Sequence, residues 1–149
     1  MIALILALAL FVAYNAYVIG HYRTIPVSLS ETSYIASPTL FSGFIGTEAL
    51  LYLAPWLDKS GLGLLPYAGT ISLAVCASAP LFRESFHKRI HYVSGVVAFT
   101  AVLLWVALDR SPWWLATAIV PAGLTAWKRD NLVYWLECWA CLLLGLLLF

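Results

Sequence analysis

Charged residues are scarce in this sequence. Eight lysines and arginines and seven aspartates and glutamates make up 10% of its 149 residues, whereas soluble domains carry about 25%. Hydrophobic residues make up 63%, more than a small soluble fold can hide, because such a domain buries only about two-thirds of its chain surface. The net charge of +1 excludes the strongly basic surface of a nucleic-acid-binding domain. The composition therefore predicts a chain that is stable in lipid.

Cysteine is also rare. Its three positions, Cys76, Cys138 and Cys141, all lie inside apolar stretches, and they give neither a disulfide framework nor a soluble zinc-binding pattern. Cys138 and Cys141 form a Cys-x-x-Cys pair, but inside a spanning helix cysteine is an ordinary small apolar residue. The phosphate-binding glycine loop and the Gly-x-Ser-x-Gly motif of hydrolases are also absent. No cofactor is predicted.

Six apolar stretches follow one another with short connections, each close to the roughly 20 residues that cross a bilayer. We predict one all-α transmembrane domain with spanning helices at 2–19, 39–57, 64–82, 90–108, 113–127 and 132–149. The fifth stretch is the shortest and contains Pro121, so five spans and one re-entrant segment are the alternative. The first stretch lacks a preceding basic residue and a suitable cleavage site, which favours a retained helix over a signal peptide.

Capping residues mark several expected helix starts. Ser37-Pro38 places a hydroxyl before a proline at the first helical position, and Asn131 precedes the last helix. In the longest connection, Ser28 and Glu31 have the spacing of a capping box, in which the serine caps and the glutamate reaches back. A short helical turn at the membrane interface is predicted there.

Basic residues are distributed unevenly between the loops. Six of the eight lie in the first, third and fifth loops: Arg23, Arg83, Lys88, Arg89, Lys128 and Arg129. Because cytoplasmic loops are enriched in lysine and arginine, we expect these loops in the cytoplasm and both termini outside.

Two glutamates fall inside predicted spans, where an ionisable group is costly and usually has a function. Glu48 lies near the middle of the second span, and Glu137 lies about 9 Å from the cytoplasmic end of the sixth. Neither has a lysine or arginine on a neighbouring span at the same depth, so the neutral acid is expected unless a partner is found. They fit an interhelical hydrogen bond, a proton or cation site, or a polar ligand pocket.

Further polar residues gather at the predicted cytoplasmic side, where the first, third and fifth loops converge. The basic residues around them suit anionic lipid headgroups. Together with the glutamate at mid-span, they form the candidate ligand-binding set of Asn15, Ser28, Glu31, Glu48, His91 and Glu137.

Two other chemistries are weaker readings of the same residues. His87 and His91 share a helix face and could hold a metal, but the two cations between them disfavour a metal dication, and no metal site is predicted. Ser28 or Ser30 with His91 could supply the nucleophile and base of a membrane hydrolase. Those residue types are common enough for the combination to arise by coincidence.

Two short stretches resemble a known group. The loop 25–31, Ile-Pro-Val-Ser-Leu-Ser-Glu, and a later helix opened by His91 with Ser94 and Gly95 resemble the DRAM-like small six-helix membrane proteins and their uncharacterised bacterial relatives. The resemblance implies a polytopic helical bundle without an established enzyme activity. The expected location is a bacterial inner membrane. It carries over no functional residue.

Three functional hypotheses follow. The first is a non-enzymatic bundle that binds lipid or a small amphipathic ligand in a cytoplasmic-side polar pocket. The second is a proton- or cation-coupled transporter that uses Glu48 and Glu137, and the third is the membrane hydrolase. Membrane lipids are the expected partners, and small residues four apart, such as Ser94 and Ala98, permit close helix packing within the chain or in a homo-oligomer or membrane complex. No nucleic-acid partner is expected.

Overall fold

The computed structural model describes residues 1–78, 80, 85–125 and 131–149, with backbone only at 85–88 and 124–125. Every regular element in those ranges is helical, which confirms the predicted all-α fold. The α-helices are α1 (Ile2–Tyr22), α2 (Thr32–Ile35), α3 (Pro38–Lys59), α4 (Leu64–Ser78), α5 (Ser85–Trp105), α6 (Ile119–Thr125) and α7 (Leu132–Leu148). A π-helical turn, Val106–Arg110, extends α5, and a 3-10 segment, Pro112–Ala118, precedes α6.

Three of the helices are long and apolar enough to cross a membrane, namely Ile2–Tyr22, Pro38–Lys59 and Arg89–Arg110. They overlap the first, second and fourth predicted spans. The apolar helices α4 and α7 are shorter, with 15 and 17 residues. The lengths and composition of these helices are compatible with a membrane location.

The fifth predicted span differs in form from a regular spanning helix. Its described part starts as the 3-10 segment and turns into the short α6. Pro121 lacks the N–H that an α-helix would direct at the carbonyl of Thr117, and the Thr117 hydroxyl donates to the carbonyl of Trp114 at 2.6 Å. Both features favour the tighter winding before the proline. The predicted end at residue 127 lies outside the described residues, as does the predicted end of the third span at residue 82.

The long helices pack into a bundle in which α3 and α4 make the most extensive helix contacts. α3 packs against α1 and α4, and α4 packs against α5, while α7 contacts α1, α3 and α5. Two apolar clusters fill the interior. The first cluster surrounds Trp56 and Trp105, and the second surrounds Phe41, Phe44 and Tyr134.

Large apolar side chains also cover the outside of the bundle. Leu50 is 74% exposed, Ile71 61% and Leu146 63%. Exposure of such side chains to water on three different helices would be unfavourable, whereas contact with lipid tails would be favourable.

Two predicted caps can be compared with the structure. The Ser37 hydroxyl accepts a hydrogen bond from the Leu40 amide at 2.9 Å, directly before the proline that opens α3, so this cap is confirmed. The Ser28 hydroxyl accepts from the Glu31 amide at 3.2 Å. The Glu31 carboxylate accepts from the Val27 amide, one residue earlier than in a standard capping box.

Candidate functional site

The loop between α1 and α2 is fixed to the start of α7. The Asn131 side-chain amide donates to the carbonyls of Ile25 and Pro26 at 2.7 and 2.8 Å. The Tyr134 amide donates to the Val27 carbonyl at 3.0 Å. Asn131 is the N-cap residue of α7, but its side chain makes no capping bond, because it is used to hold this loop.

Glu137, one turn further along α7, completes the attachment. Its Oε2 accepts a hydrogen bond from the Leu29 amide at 2.6 Å. This amide lies in the turn before α2 and would otherwise need another acceptor. The carboxyl group of Glu137 therefore joins residues 108 positions apart in the chain, and it borders a partly open cavity.

Glu48 borders the same cavity from α3. Its side chain is only 5% exposed, and neither carboxyl oxygen has a hydrogen-bond partner among the described residues. Burying a carboxyl group without a partner costs several kcal/mol in any environment that excludes water. Among the described residues, Trp56 Nε1 and Thr70 Oγ1 are also buried without a hydrogen-bond partner, but of these three groups only the Glu48 carboxyl is acidic.

The cavity is partly open and has a volume of about 100 Å³, enough for several water-sized groups, so that a longer chain would extend out through its opening. It lies between the two apolar clusters and receives residues from both. Apart from Ser30 and the two glutamates, its lining consists of apolar, aromatic and thiol-bearing side chains and one glycine: Leu29, Phe41, Phe44, Ile45, Tyr52, Leu73, Cys76, Gly95, Ala98, Phe99, Val102, Ala140, Cys141 and Leu144. A slender apolar group with a polar end matches this lining.

Asn15 contributes to the framework beside the cavity. Its Oδ1 accepts a hydrogen bond from the Tyr134 hydroxyl at 2.6 Å, and its Nδ2 donates to the Phe11 carbonyl at 2.8 Å. Both polar atoms of the side chain are therefore used within the bundle, where they join α1 to α7.

Ser28, Glu31 and His91 also bond elsewhere. Ser28 and Glu31 stabilise their own turn, and the Ser28 hydroxyl lies 3.0 Å from that of Ser30. His91 Nδ1 lies 2.8 Å from the Cys76 carbonyl and 3.5 Å from its Sγ. The described hydrogen bonds of Ser28 and His91 thus do not form the nucleophile–base pair of the hydrolase hypothesis.

The candidate set is therefore divided by the structure. Glu48 and Glu137 share one cavity, Asn15 supports α7 beside it, and the other three lie around its edge or in the adjacent turn. Several basic residues expected near this region, Arg83, Lys128 and Arg129, fall outside the described residues, as do the side chains of His87 and Lys88.

Sequence reasoning missed how the loop reaches the cavity. Leu29 and Ser30 line it, although they come from the connection between two helices. Two local features accompany the inward course of this connection: the Pro26 ring is buried, and Arg23, at the end of α1, adopts the αL conformation. Neither feature identifies α7 as its partner.

Comparison with protein-family models, with curated proteins and with solved structures found no match to the chain. Nothing outside the chain itself therefore bears on its resemblance to the DRAM-like group.

Proposed function

We propose that the chain is a multi-pass membrane protein that binds a small amphipathic molecule in the cavity between α3, α5 and α7. One observation carries the proposal: the buried carboxyl of Glu48 lines this cavity without a hydrogen-bond partner among the described residues. Binding sites for small molecules are mostly apolar and contain a few polar groups that orient the ligand. An apolar cavity with two carboxyl groups fits that description.

Helix lengths support a bundle of six spans. α7, with 17 residues, is roughly 26 Å long at 1.5 Å per residue. The 3-10 segment and α6, with seven residues each, together reach roughly 25 Å, since a 3-10 helix rises about 2 Å per residue. Both lengths approach the hydrocarbon thickness of about 30 Å. The short spans suit a thin or locally thinned bilayer.

The distribution of basic residues supports an orientation with both termini outside. In this topology the loop from Ile25 to Ser30 lies at the cytoplasmic side, and the cavity begins directly beneath it. The ligand would then enter from the cytoplasmic leaflet. A bacterial inner membrane is the location that the resemblance to the DRAM-like group favours.

Photolabelling of the protein in lipid nanodiscs tests the binding function. The probe is an eight-carbon alcohol with a diazirine on its chain, which is neutral and small. We expect cross-links to peptides of α3 and α7. Gly95→Leu should reduce labelling, because Gly95 lines the cavity and a Cβ there would lie 3.8 Å from the Sγ of Cys76, which also lines it.

Gly43→Leu is the matched control, since a Cβ at Gly43 meets nothing within 4 Å and the residue is exposed on α3. Labelling of this variant should equal that of the natural chain. Equal labelling of the Gly95→Leu variant would show that the probe sits on the lipid-facing surface, and the binding function would be refuted.

A second function, proton-coupled transport, is supported by the different positions of the two carboxyl groups. Glu48 stands ten residues into α3 and Glu137 five residues into α7, and both reach one cavity. Two acids at different depths can pass a proton in steps. In liposomes, a pH-driven flux that Glu48→Gln abolishes would favour transport. A flux unaffected by that substitution, or no flux, would argue against it.

A further inference from the structure

We propose that the ligand of this cavity is an amine, with its nitrogen at Glu48 and its alkyl or aryl body among the apolar side chains. This inference rests on the proposed binding function and specifies the chemical class of the ligand. It starts from the carboxyl group of Glu48, which receives no hydrogen bond from the described residues. An ammonium group brings three N–H donors and a positive charge.

The lining discriminates against acids. Among the described residues that border the cavity there is no lysine, arginine or histidine, while there are two glutamates. A fatty acid or a phosphate headgroup placed there would face carboxyl groups without a counter-charge, which is costly in a low-dielectric environment. The described basic side chains, Arg23, Lys59, Arg89 and Arg110, lie at or near helix ends and do not border the cavity, so an anionic headgroup would be bound at the surface.

The aromatic side chains of the lining favour a cation as well. Phe41, Phe44, Tyr52 and Phe99 all border the cavity. Aromatic ring faces attract ammonium groups, most strongly where water is excluded. The same rings offer apolar contact to the hydrocarbon part of the ligand, so the two ends of an amphipathic amine are each matched.

Glu137 gives the site a second acidic group with less freedom. Its Oε2 is already engaged by the Leu29 amide, which holds the carboxyl group in place at the loop end of the cavity. An amine at Glu48 therefore lies in a space bordered by two acids, one without a partner and one fixed by the backbone.

Binding can proceed without bringing net charge into the membrane. The amine enters as the free base, and the neutral acid of Glu48 gives it a proton. The O–H bond of the acid breaks, an N–H bond forms on the ligand nitrogen, and a carboxylate–ammonium pair results. Such charge-assisted hydrogen bonds are about twice as strong as neutral ones. An alcohol of the same length cannot make this exchange.

The test is competition against the photoreactive alcohol in nanodiscs by octylamine, 1-octanol and octanoate. Each competitor's apparent affinity is corrected for its partition into protein-free nanodiscs. We expect octylamine to compete about tenfold better than octanol, as one charged hydrogen bond in place of a neutral one would give. Octanoate should compete less well than octanol.

Glu48→Gln should bring octylamine close to octanol, because the amide can neither give the proton nor carry the charge. Glu31→Gln is the matched control: it removes a carboxyl group of the loop that accepts from the Val27 amide and does not border the cavity. This variant should keep the full preference for the amine. Should Glu48→Gln fail to fold, Glu137→Gln should still reduce the preference.

Equal competition by octylamine and octanol on the natural chain would overturn the amine proposal and leave the binding function intact. A preference for the amine that survives both Glu48→Gln and Glu137→Gln would also overturn it. Labelling that no competitor reduces, and that Gly95→Leu does not change, would instead refute the binding function itself. The two failures are therefore distinguishable.

Discussion

The contact between α3 and α4 gives the sharpest test of the bundle. Gly69 on α4 is buried directly against the indole of Trp56 on α3. A Cβ added at Gly69 would lie 2.6 Å from Cη2 and 2.7 Å from Cζ3 of that ring, closer than carbon atoms can approach. Trp56 has no exposed surface, and its ring packs at 72° against that of Trp105, so it has no space to yield. Gly69→Ala should therefore destabilise the protein.

The magnitude follows from two opposing effects. Overpacking of a well-filled core costs about 1–3 kcal/mol, whereas alanine is favoured over glycine inside a helix by up to about 1 kcal/mol. In Gly43→Ala the second effect acts alone, because the new Cβ meets nothing within 4 Å. The difference in unfolding free energy between the two variants isolates the steric effect and should be about 1–3 kcal/mol, with Gly69→Ala the less stable.

A suitable assay is reversible unfolding in mixed micelles with increasing sodium dodecyl sulfate, followed by tryptophan fluorescence and helical circular dichroism. Gly145→Ala provides an intermediate case, since its Cβ would meet the Leu8 Cδ2 atom at 2.7 Å, the mobile end of a flexible side chain. Equal stabilities of Gly69→Ala and Gly43→Ala would refute the register of α3 against α4 described above.

Three further predictions concern attachments between segments. Asp109→Ala should lower the unfolding free energy by about 1–3 kcal/mol, because its Oδ2 accepts three hydrogen bonds, from a hydroxyl, a backbone amide and an indole; the same change at the exposed Asp58 should have little effect in the same titration. Asn131→Ala should speed amide hydrogen exchange in residues 25–29, because Asn131 holds this loop through the carbonyls of Ile25 and Pro26, and unchanged exchange would contradict the docking. The Thr117 hydroxyl accepts a hydrogen bond from the Trp139 indole N–H at 2.8 Å. Thr117→Val should remove this bond and shift the tryptophan fluorescence, whereas Thr39→Val should not.

The helical fold was predictable because its signals are local. Long apolar stretches predict helices through length and composition alone, and the cap at Ser37 lies in four consecutive residues. The fifth predicted span shows the limit of that reasoning. Its apolar composition predicted one continuous helix, whereas Pro121 and the hydroxyl of Thr117 favour a 3-10 winding in its first half. The effect of a proline on the preceding turn is a known rule, but the sequence does not show how far along the segment it extends.

The site was only half predictable. Glu48 and Glu137 stand out in the sequence because charged residues are rare inside apolar stretches. The cavity that they share cannot be recognised in the sequence, because it depends on how α3 and α7 are rotated about their axes. An amphipathic helix shows its buried face through its pattern, but these helices are apolar on nearly all sides. The sequence therefore leaves open which residues face lipid and which face the interior.

The polar residues of the loop between α1 and α2 also show that the sequence does not identify which groups form the site. Ser28 and Glu31 attract attention as chemical groups, yet their hydrogen bonds are used within three or four residues of the chain. The decisive contact of this loop is made by a backbone amide, that of Leu29, to which no side-chain pattern points. Backbone groups carry no sequence signal, so a site that includes them emerges only when the distant helix is in place.

The position of Glu48 connects stability with binding. α3 packs against α1, α4 and α7, and the buried Glu48 carboxyl has no hydrogen-bond partner among the described residues, which costs free energy in an environment that excludes water. A ligand that supplies the missing donor removes this cost and is bound more tightly for the same reason. Under the binding proposal, occupancy of the cavity would raise the stability of the bundle with the logarithm of the ratio of ligand concentration to Kd. The group that lowers the stability of the empty protein would then be the group that selects the ligand.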